Sequence, residues 1–483
     1  MKLDSGICYR ALKARDARFD GRFFVAVSST GIYCRPVCTV KPPRRENCRF
    51  FPSAAAAESN GYRPCLRCRP ELAPGNSSVD ATTRLAQAAA SLMEDGTLDR
   101  ESLHALAGRL GVTDRHLRRA FGAEFGVSPV QFAQTQRLLL AKRLLTDTAL
   151  PVIDVAFASG FGSVRRFNAL FRKRYRLRPG HLRSRSRNGT PAAAVTDALE
   201  FELSFRPPFD WTAVSAFLAA RSIAGVETVE DGAYRRAVRL SVDGKEQTGW
   251  ITVGMSPRKP TLRVSIAASL ARAVPLVLSR VKALMDLACH PADVSQTLGA
   301  LAKRHPGLRV PGAFDGFELA VRAILGQQVT VAAARTLAGR FAAAFGDPVM
   351  TPFDSLTTLF PAAARVADLA PGNVARLGMP AARGRAVIAL ARAVAEGRLA
   401  LMPNADIEAT LDTLRSLPGI GEWTAQYIAM RALSWPDAFP HPDAGVMKAL
   451  RATDARRVLS ASEAWRPWRA YATMHLWQSL AKE

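Results

Sequence analysis

Negative charge is what this chain is short of. Of its 483 residues, 41 are Asp or Glu against 66 Lys or Arg, a formal net charge of +25. That balance argues against a basic or neutral partner and makes a polyanion the default one. The shortage is uneven: residues 1–200 hold 33 bases and 17 acids, residues 201–483 hold 33 and 24. Between Phe161 and Val195 ten Lys/Arg stand without a single acid. Long apolar runs are also missing, and nothing approaches the ~20 residues a membrane span requires. The start, Met1-Lys2-Leu3-Asp4, lacks the apolar stretch of a secretory signal. A cytoplasmic protein with no membrane partner is expected. With 48% hydrophobic and 22% charged residues the chain is not of disordered type. Its length allows about two to four domains. Cysteine is scarce, seven in all, and in a reducing compartment clustered cysteines read as metal ligands or reactive thiols.

The segment Leu417-Pro418-Gly419-Ile420-Gly421-Glu422-Trp423 reads as a helix, a Pro-Gly turn and a second helix. Leu414 and Leu417 mark the apolar face of the first helix; Trp423, Tyr427 and Met430 mark that of the second. Gly419 and Gly421 permit a turn tight enough to point backbone N–H groups outward at the second helix start, a ready site for a phosphate. An isolated acid follows in Phe439-Pro440-His441-Pro442-Asp443. Read alone, this is either an ordinary helix connection with a solvated acid or a DNA grip beside a catalytic carboxylate. The pairing resembles the helix-hairpin-helix, Gly/Pro-Asp superfamily of DNA glycosylases, which implies that the hairpin holds the duplex while a base is flipped out. Asp443 is then the catalytic acid for N-glycosidic cleavage.

Five cysteines fall between residues 34 and 68. Cys34-x3-Cys38 and Cys65-x2-Cys68 have the spacing of a tetrahedral Zn2+ site, and the pairs alone would suggest a structural knuckle. Their surroundings are more specific: Phe23–Val27 as a strand, Gly31-Ile32-Tyr33-Cys34-Arg35-Pro36-Val37-Cys38, Arg45-Glu46-Asn47, and Tyr62-Arg63-Pro64-Cys65-Leu66-Arg67-Cys68-Arg69-Pro70. Residues 5–75 closely resemble the zinc domain of Ada-type methylation sensors. The resemblance implies one zinc held by Cys34, Cys38, Cys65 and Cys68, with Cys34 accepting methyl from a DNA methylphosphotriester. Methylation would remove one negative charge from a Zn(Cys)4 centre and raise its affinity for DNA. Arg45 and Arg67 are phosphate contacts or plain surface charges. Cys8, Cys48 and Cys289 stand alone and read as small buried residues.

Residues 80–187 show two helix, glycine-turn, basic-helix modules: Leu103–Val112 into Thr113–Phe121, and Ile153–Gly162 into Ser163–Lys173. That is helix-turn-helix patterning, with the second helix of each module entering the major groove. The end, Phe171-x3-Tyr175-x3-Pro179-Gly180-His181-x-Arg183, resembles an AraC-type DNA-binding domain. Arg115, Arg118, Arg119, Ser163, Arg165, Arg166 and Asn168 are the candidate DNA contacts, some of them plain helix-face charges. Residues 184–196 read as a linker.

The methyltransferase signature Pro-Cys-His-Arg that would follow in the full Ada arrangement is absent. Instead Leu199–Phe205 reads as a strand, a helix begins near Trp211, and strands are expected at Arg235–Val242, Gly249–Val253 and Thr261–Ile266. Helices dominate from Ala268, and Asp315-Gly316-Phe317-Glu318 reads as a capping box. This order, with Arg431, the hairpin, Asp443 and Trp465–Tyr471, resembles the AlkA-type alkylpurine glycosylases over about 199–480. The resemblance implies that Gln328 fills the gap left by the flipped base; Gln327 reads instead as a helix cap. It implies further that Trp423, Tyr427 and Trp477 line the base pocket; helical spacing alone would put these aromatics in a core. Lyases of the superfamily carry Lys where Trp423 stands, and no four-cysteine iron–sulfur loop follows, so a monofunctional hydrolase is expected.

The fold class expected is therefore multidomain. A small α/β zinc domain (1–76) precedes an all-α double helix-turn-helix domain (80–183). After the linker come an α/β cap (197–285) and a mostly α-helical helix-hairpin-helix glycosylase (286–483). The implied function is excision of alkylated purines such as 3-methyladenine and 7-methylguanine by a chain that is also a transcriptional regulator. Double-stranded DNA is the expected partner, with RNA polymerase added by the activator resemblance and the nucleoid as the place of action. A regulator that recognises damage without excising bases is the alternative, and a repair enzyme with a mere DNA tether is a third reading.

Overall fold

In a computed structural model the cysteine-rich segment folds as the strand patterning requires. The structure describes residues 4–74, 81–94, 96, 98, 101–182, 197–242, 244–403 and 405–480. The linker expected at 184–196 lies outside them. Helix α1 (Ser5–Ala14) packs on a four-stranded sheet of β1 (Phe24–Val27), β2 (Ile32–Cys34), β3 (Cys48–Phe51) and β4 (Arg63–Pro64), in the order β3-β1-β2-β4. Between β3 and β4 lies α2 (Ala54–Ser59). Register Val25↔Cys34 and Ile32↔Arg63 brings the two cysteine-bearing segments side by side.

The helical region runs α3 (Ala81–Glu94), α4 (Leu103–Arg109), α5 (Asp114–Phe125), α6 (Pro129–Asp147), α7 (Val152–Ala158) and α8 (Val164–Tyr175). Both expected modules are present, as α4–α5 and α7–α8. Their turns use left-handed glycines, Gly111 and Gly160, and their second helices start on Thr113 and Ser163, whose hydroxyls accept from the His116 and Arg166 N–H groups. Leu117 and Phe121, and likewise Phe167 and Phe171, turn inward. Arg115, Arg118, Arg119, Arg165 and Arg166 stay exposed and Asn168 is half-buried.

The cap is an antiparallel sheet in the order β5-β9-β8-β7-β6, from β5 (Ala198–Ser204), β6 (Glu227–Glu230), β7 (Ala233–Val242), β8 (Lys245–Met255) and β9 (Thr261–Ala267), with α9 (Trp211–Ala219) between β5 and β6. Strand β6 was not expected. Its sequence, Glu-Thr-Val-Glu, carries no apolar alternation; it forms because β7 supplies every partner, as in Val229↔Tyr234.

Helices follow: α10 (Val274–Leu284), α11 (Pro291–Leu298), α12 (Gly316–Leu325), α13 (Val331–Phe345), α14 (Ala363–Ala367), α15 (Pro371–Ala375), α16 (Ala381–Ala395), α17 (Ile407–Ser416), α18 (Glu422–Arg431), α19 (Ala444–Ala449), α20 (Ala455–Ala461) and α21 (Arg469–Ser479). The capping box at α12 is only half formed. Asp315 caps the Glu318 N–H at 2.9 Å, but the Glu318 carboxylate turns inward to Arg236 at 2.6 Å and Arg322 at 3.2 Å. Burial favours this, because two guanidiniums neutralise a carboxylate that a surface cap would leave in water.

The regulatory region does not stand apart from the catalytic one. Leu138, Leu145, Val155, Phe167 and Phe171 share one continuous apolar core with Leu199, Phe201, Val264, Val277 and Val281. Across that junction Arg143 donates to the Glu202 carbonyl and lies over the Phe201 ring. No helix among the described residues is long and apolar enough to cross a membrane.

Candidate active site and zinc centre

The hairpin forms as its glycines demand. Helix α17 ends at Ser416, the chain turns through Pro418 and Gly419, and α18 starts on Gly421, which offers no capping side chain to the first-turn amides. Gly419 has φ +78°, and a Cβ there would come within 3.1 Å of Ala386. Gly421 is exposed, and nothing lies within 4 Å of where its side chain would be. The helix start is thus open to an anion.

Residues far apart in sequence converge beside it. Asp443 caps α19 by accepting from the Val446 N–H at 3.0 Å. Its Oδ2 accepts from the Trp423 indole and its Oδ1 from the Trp477 indole, each at 2.8 Å. Three N–H donors therefore fix a half-buried carboxylate in one orientation. The two tryptophans anticipated as pocket walls are also what aim the acid. Gly445 makes this approach possible, since a Cβ there would meet Asp443 Oδ1 and the Trp477 ring at 3.0 Å.

Aromatic rings gather beside this acid. Trp423 and Tyr427 stack at 5.3 Å and 13°, Tyr427 and Trp477 lie 6.3 Å apart, and Phe217 of α9 stacks on Trp477 at 6.4 Å. Behind them the Tyr427 hydroxyl accepts from Arg431 at 2.8 Å, and Arg431 also donates to the Pro311 and Gly312 carbonyls. Burial pushes the Tyr427 phenol up, but Arg431, Arg221 and Arg322 outweigh it and hold the group below its ordinary value. Arg221 lies 3.7 Å over Phe217. Arg322 and Arg236 pair with Glu227 and Glu318 in a buried cluster that ties the cap to α12.

The loop between α12 and α13 carries Gln328 at its exposed tip, in the left-handed conformation at φ +55°. The neighbouring Gln327 does not cap a helix. Its amide donates to the Gly419 carbonyl at 2.8 Å and the Thr424 hydroxyl at 2.9 Å, locking this loop to the hairpin. Arg383 grips the Gln327 carbonyl at 2.7 Å. Phe217, Arg221 and Arg383 were not singled out from sequence. No local pattern marks them, because Phe217 meets Trp477, Arg221 acts on Tyr427 and Arg383 reaches Gln327, each across more than 50 residues of chain.

In the other centre, the sulfurs of Cys34, Cys38, Cys65 and Cys68 all lie within 4.8 Å of one another, three of the residues buried and Cys68 partly so. Four thiols at that separation, with no other donor, fit tetrahedral Zn2+, whose Zn–S bonds are about 2.3 Å. Contact with Cys34 pulls the Cys38 thiol down. The Cys65 N–H donates to the Tyr33 carbonyl at 3.0 Å and the Arg35 N–H to Cys68 Sγ at 3.4 Å. The Arg35 side chain is anchored on Asp20. Arg45 and Arg67 are exposed. Cys8 and Cys289 are buried as expected, but Cys48 is only half-buried on β3.

The indole–carboxylate pairing leads to one prediction. Trp423→Phe keeps a ring but removes one charge-assisted hydrogen bond worth about 1.5–3 kcal/mol. With Asp443 as the catalytic acid that the resemblance implies, single-turnover base release is expected to slow about 10–100-fold, with the melting temperature lowered by a few degrees.

Four family models match the chain: "Metal binding domain of Ada" at residues 7–71, "Helix-turn-helix domain" at 106–185, "AlkA N-terminal domain" at 200–315 and "HhH-GPD superfamily base excision DNA repair protein" at 321–464. The chain is 41% identical to a probable bifunctional transcriptional activator/DNA repair enzyme AlkA of Mycobacterium tuberculosis, over 98% of this chain and 96% of that one. It is 37% identical to the DNA-3-methyladenine glycosylase 2 of Escherichia coli, over 57% of this chain and 96% of that one. With the bifunctional transcriptional activator/DNA repair enzyme Ada of Escherichia coli it shares 36% identity, over 29% of this chain and 38% of that one.

Proposed function

The chain belongs to the family of bifunctional transcriptional activator/DNA repair AlkA proteins, and from that premise we propose which residues carry its two activities. It is an alkylation-repair protein, a DNA glycosylase joined to an Ada-like, zinc-binding, helix-turn-helix regulatory region, and double-stranded DNA is its partner. The unit limits we adopt are 1–76, 80–183, 197–285 and 286–483.

For base release the reading rests on one observation, the Asp443 carboxylate held by two indoles beside the open hairpin. Backbone amides at Gly419–Gly421 grip a phosphate, and Gln328 enters the stack as the damaged nucleotide swings out. Its base lies against Trp423, Tyr427 and Trp477. An N3- or N7-alkylated purine is cationic, so it binds electron-rich ring faces and leaves readily. Asp443 faces the positive charge that grows on the sugar as the C–N bond lengthens, and it orients the attacking water. With Trp423 where a lyase has lysine, the product is an abasic site in an unbroken strand.

Gln328→Ala is expected to slow release from duplex DNA about tenfold and leave release from single strands unchanged, since only a duplex has a gap to fill. The test of the whole reading is to incubate the protein with methylated duplex DNA and identify the free bases. 3-Methyladenine and 7-methylguanine are expected, without strand cleavage. A supernatant free of alkylated bases would leave only a damage-recognising regulator.

In the sensor half, zinc keeps the cysteine sulfurs deprotonated at neutral pH. Cys34 Sγ attacks the methyl carbon of a methylphosphotriester, the C–O bond breaks, and the phosphate leaves as an ordinary diester anion. Arg45 and Arg67 contact the flanking phosphates. Arg118, Arg165 and Arg166 contact DNA from the two recognition helices, and RNA polymerase is the further partner of an activator working in the cytoplasm, at the nucleoid.

A further inference from the structure

Where the zinc domain meets the second helix-turn-helix, one carboxylate is completely enclosed. Glu58, on α2, is 1% exposed. Its Oε1 accepts from the Tyr33 hydroxyl at 3.0 Å and the Tyr175 hydroxyl at 3.4 Å, and its Oε2 from the Thr135 hydroxyl at 3.4 Å. Its main-chain carbonyl accepts from Arg174 at 2.8 Å. Each of these partners belongs to a working element. Tyr33 immediately precedes Cys34 on β2, and its carbonyl accepts from the Cys65 N–H, so it touches the zinc site twice through the backbone. Thr135 lies on α6, the long helix joining the two modules. Arg174 and Tyr175 end α8, the recognition helix with the exposed Arg165 and Arg166 at its start.

Burying a carboxylate is costly unless its acceptor sites are filled, and here three hydroxyls fill them. A rigid joint holds in one arrangement only. Any shift of β2 that moves the Tyr33 hydroxyl must either break a buried hydrogen bond or carry α8 with it. The edge-to-face row Phe167–Phe171–Tyr175, with ring centroids 5.4 and 4.8 Å apart, gives α8 a stiff inner edge along which such a shift travels.

We propose that Glu58 is a positioning residue that couples the methyl-acceptor strand to the second recognition helix, so that the state of Cys34 is passed to α8 mechanically as well as through charge. The proposal rests on Cys34 being the methyl acceptor. A switch driven by charge alone would raise the affinity for DNA without altering α8; a joint at Glu58 alters the helix itself.

Hydrogen exchange on the full-length protein separates the two. The protein is treated with methylated calf-thymus duplex, methyl uptake at Cys34 is counted, the DNA is digested and removed, and amide exchange is followed in peptides covering residues 164–182. In the unsubstituted chain methylation is expected to change exchange in α8 by about threefold or more, and by less than about 1.5-fold in Glu58→Gln and in Tyr175→Phe. Tyr175→Phe removes a single hydroxyl and guards against a Glu58 variant that fails to fold. One zinc per chain and undiminished base release establish that each variant is intact. Uptake by the unsubstituted chain with α8 unchanged, or the same change in both variants, overturns the joint alone. No uptake at all overturns the acceptor reading, and the coupling falls with it.

Discussion

Asp443→Asn is expected to reduce release of 3-methyladenine from methylated DNA by at least about 10³-fold, the scale of losing a preorganised electrostatic partner of the transition state. The substitution is nearly isosteric. Asn caps helices about as well as Asp, so the bond to the Val446 N–H survives and α19 keeps its start. What disappears is the charge. An amide cannot offset the cation developing on the sugar, and it accepts through one oxygen where two indoles now donate. With the oxygen kept on the side shared by the Val446 N–H and Trp477, Trp423 is left facing an N–H group. Affinity for duplex DNA, set by the hairpin amides and the Gln328 loop, is expected to hold within about twofold, because the altered group hydrogen-bonds to neither. Single-turnover release and a binding titration, run side by side, check this. Full activity in the variant would move the catalytic role elsewhere.

The second large effect is in the other half. Cys34→Ala is expected to take methyl uptake from methylated DNA from one equivalent per chain to none, read as labelled methyl bound to protein. Base release by the same preparation stays unchanged, because Cys34 belongs to a cluster of its own, separate from the core that Tyr427 and Trp477 pack against. Three thiolates then remain for zinc, which weakens the site. Stripping the metal from the unsubstituted chain is a harsher change. Structural zinc in small domains contributes of order 10–16 kcal/mol of binding free energy. Loss of zinc is therefore expected to unfold residues 5–74, seen as lost protection in that segment. Persistent methyl transfer to Cys34→Ala would assign the acceptor to another sulfur.

Both sites were legible where their chemistry is local. Four cysteines in two close pairs, two glycines in one turn and an acid after Pro-His-Pro are patterns a few residues wide, and the structure brings the cysteines together and sets Asp443 beside the hairpin. The same holds for the helix starts at Thr113 and Ser163. What failed was decided at a distance. Glu318 looked like a capping partner because the residues three positions back fit the motif, but Arg236, 82 residues earlier, competes for its carboxylate and wins. Strand β6 has no strand-like sequence because β7 does the pairing. Phe217 and Arg221 belong to a surface that exists only after the cap has docked, and the Gln327–Gly419 bond joins residues 92 positions apart. Even the two tryptophans were read for their faces, and it took the fold to reveal what their N–H groups hold.

The apolar core shared by α6–α8 and the cap sheet has its own consequence. The border drawn between regulator and enzyme along the chain is not a border in free energy. Phe167, Phe171 and Phe201 lie in one buried cluster, so a substitution that loosens the rear of the DNA-reading helices is expected to cost the enzyme heat resistance as well. Selection on either activity then constrains both, which is a physical reason for two trades to stay on a single polypeptide.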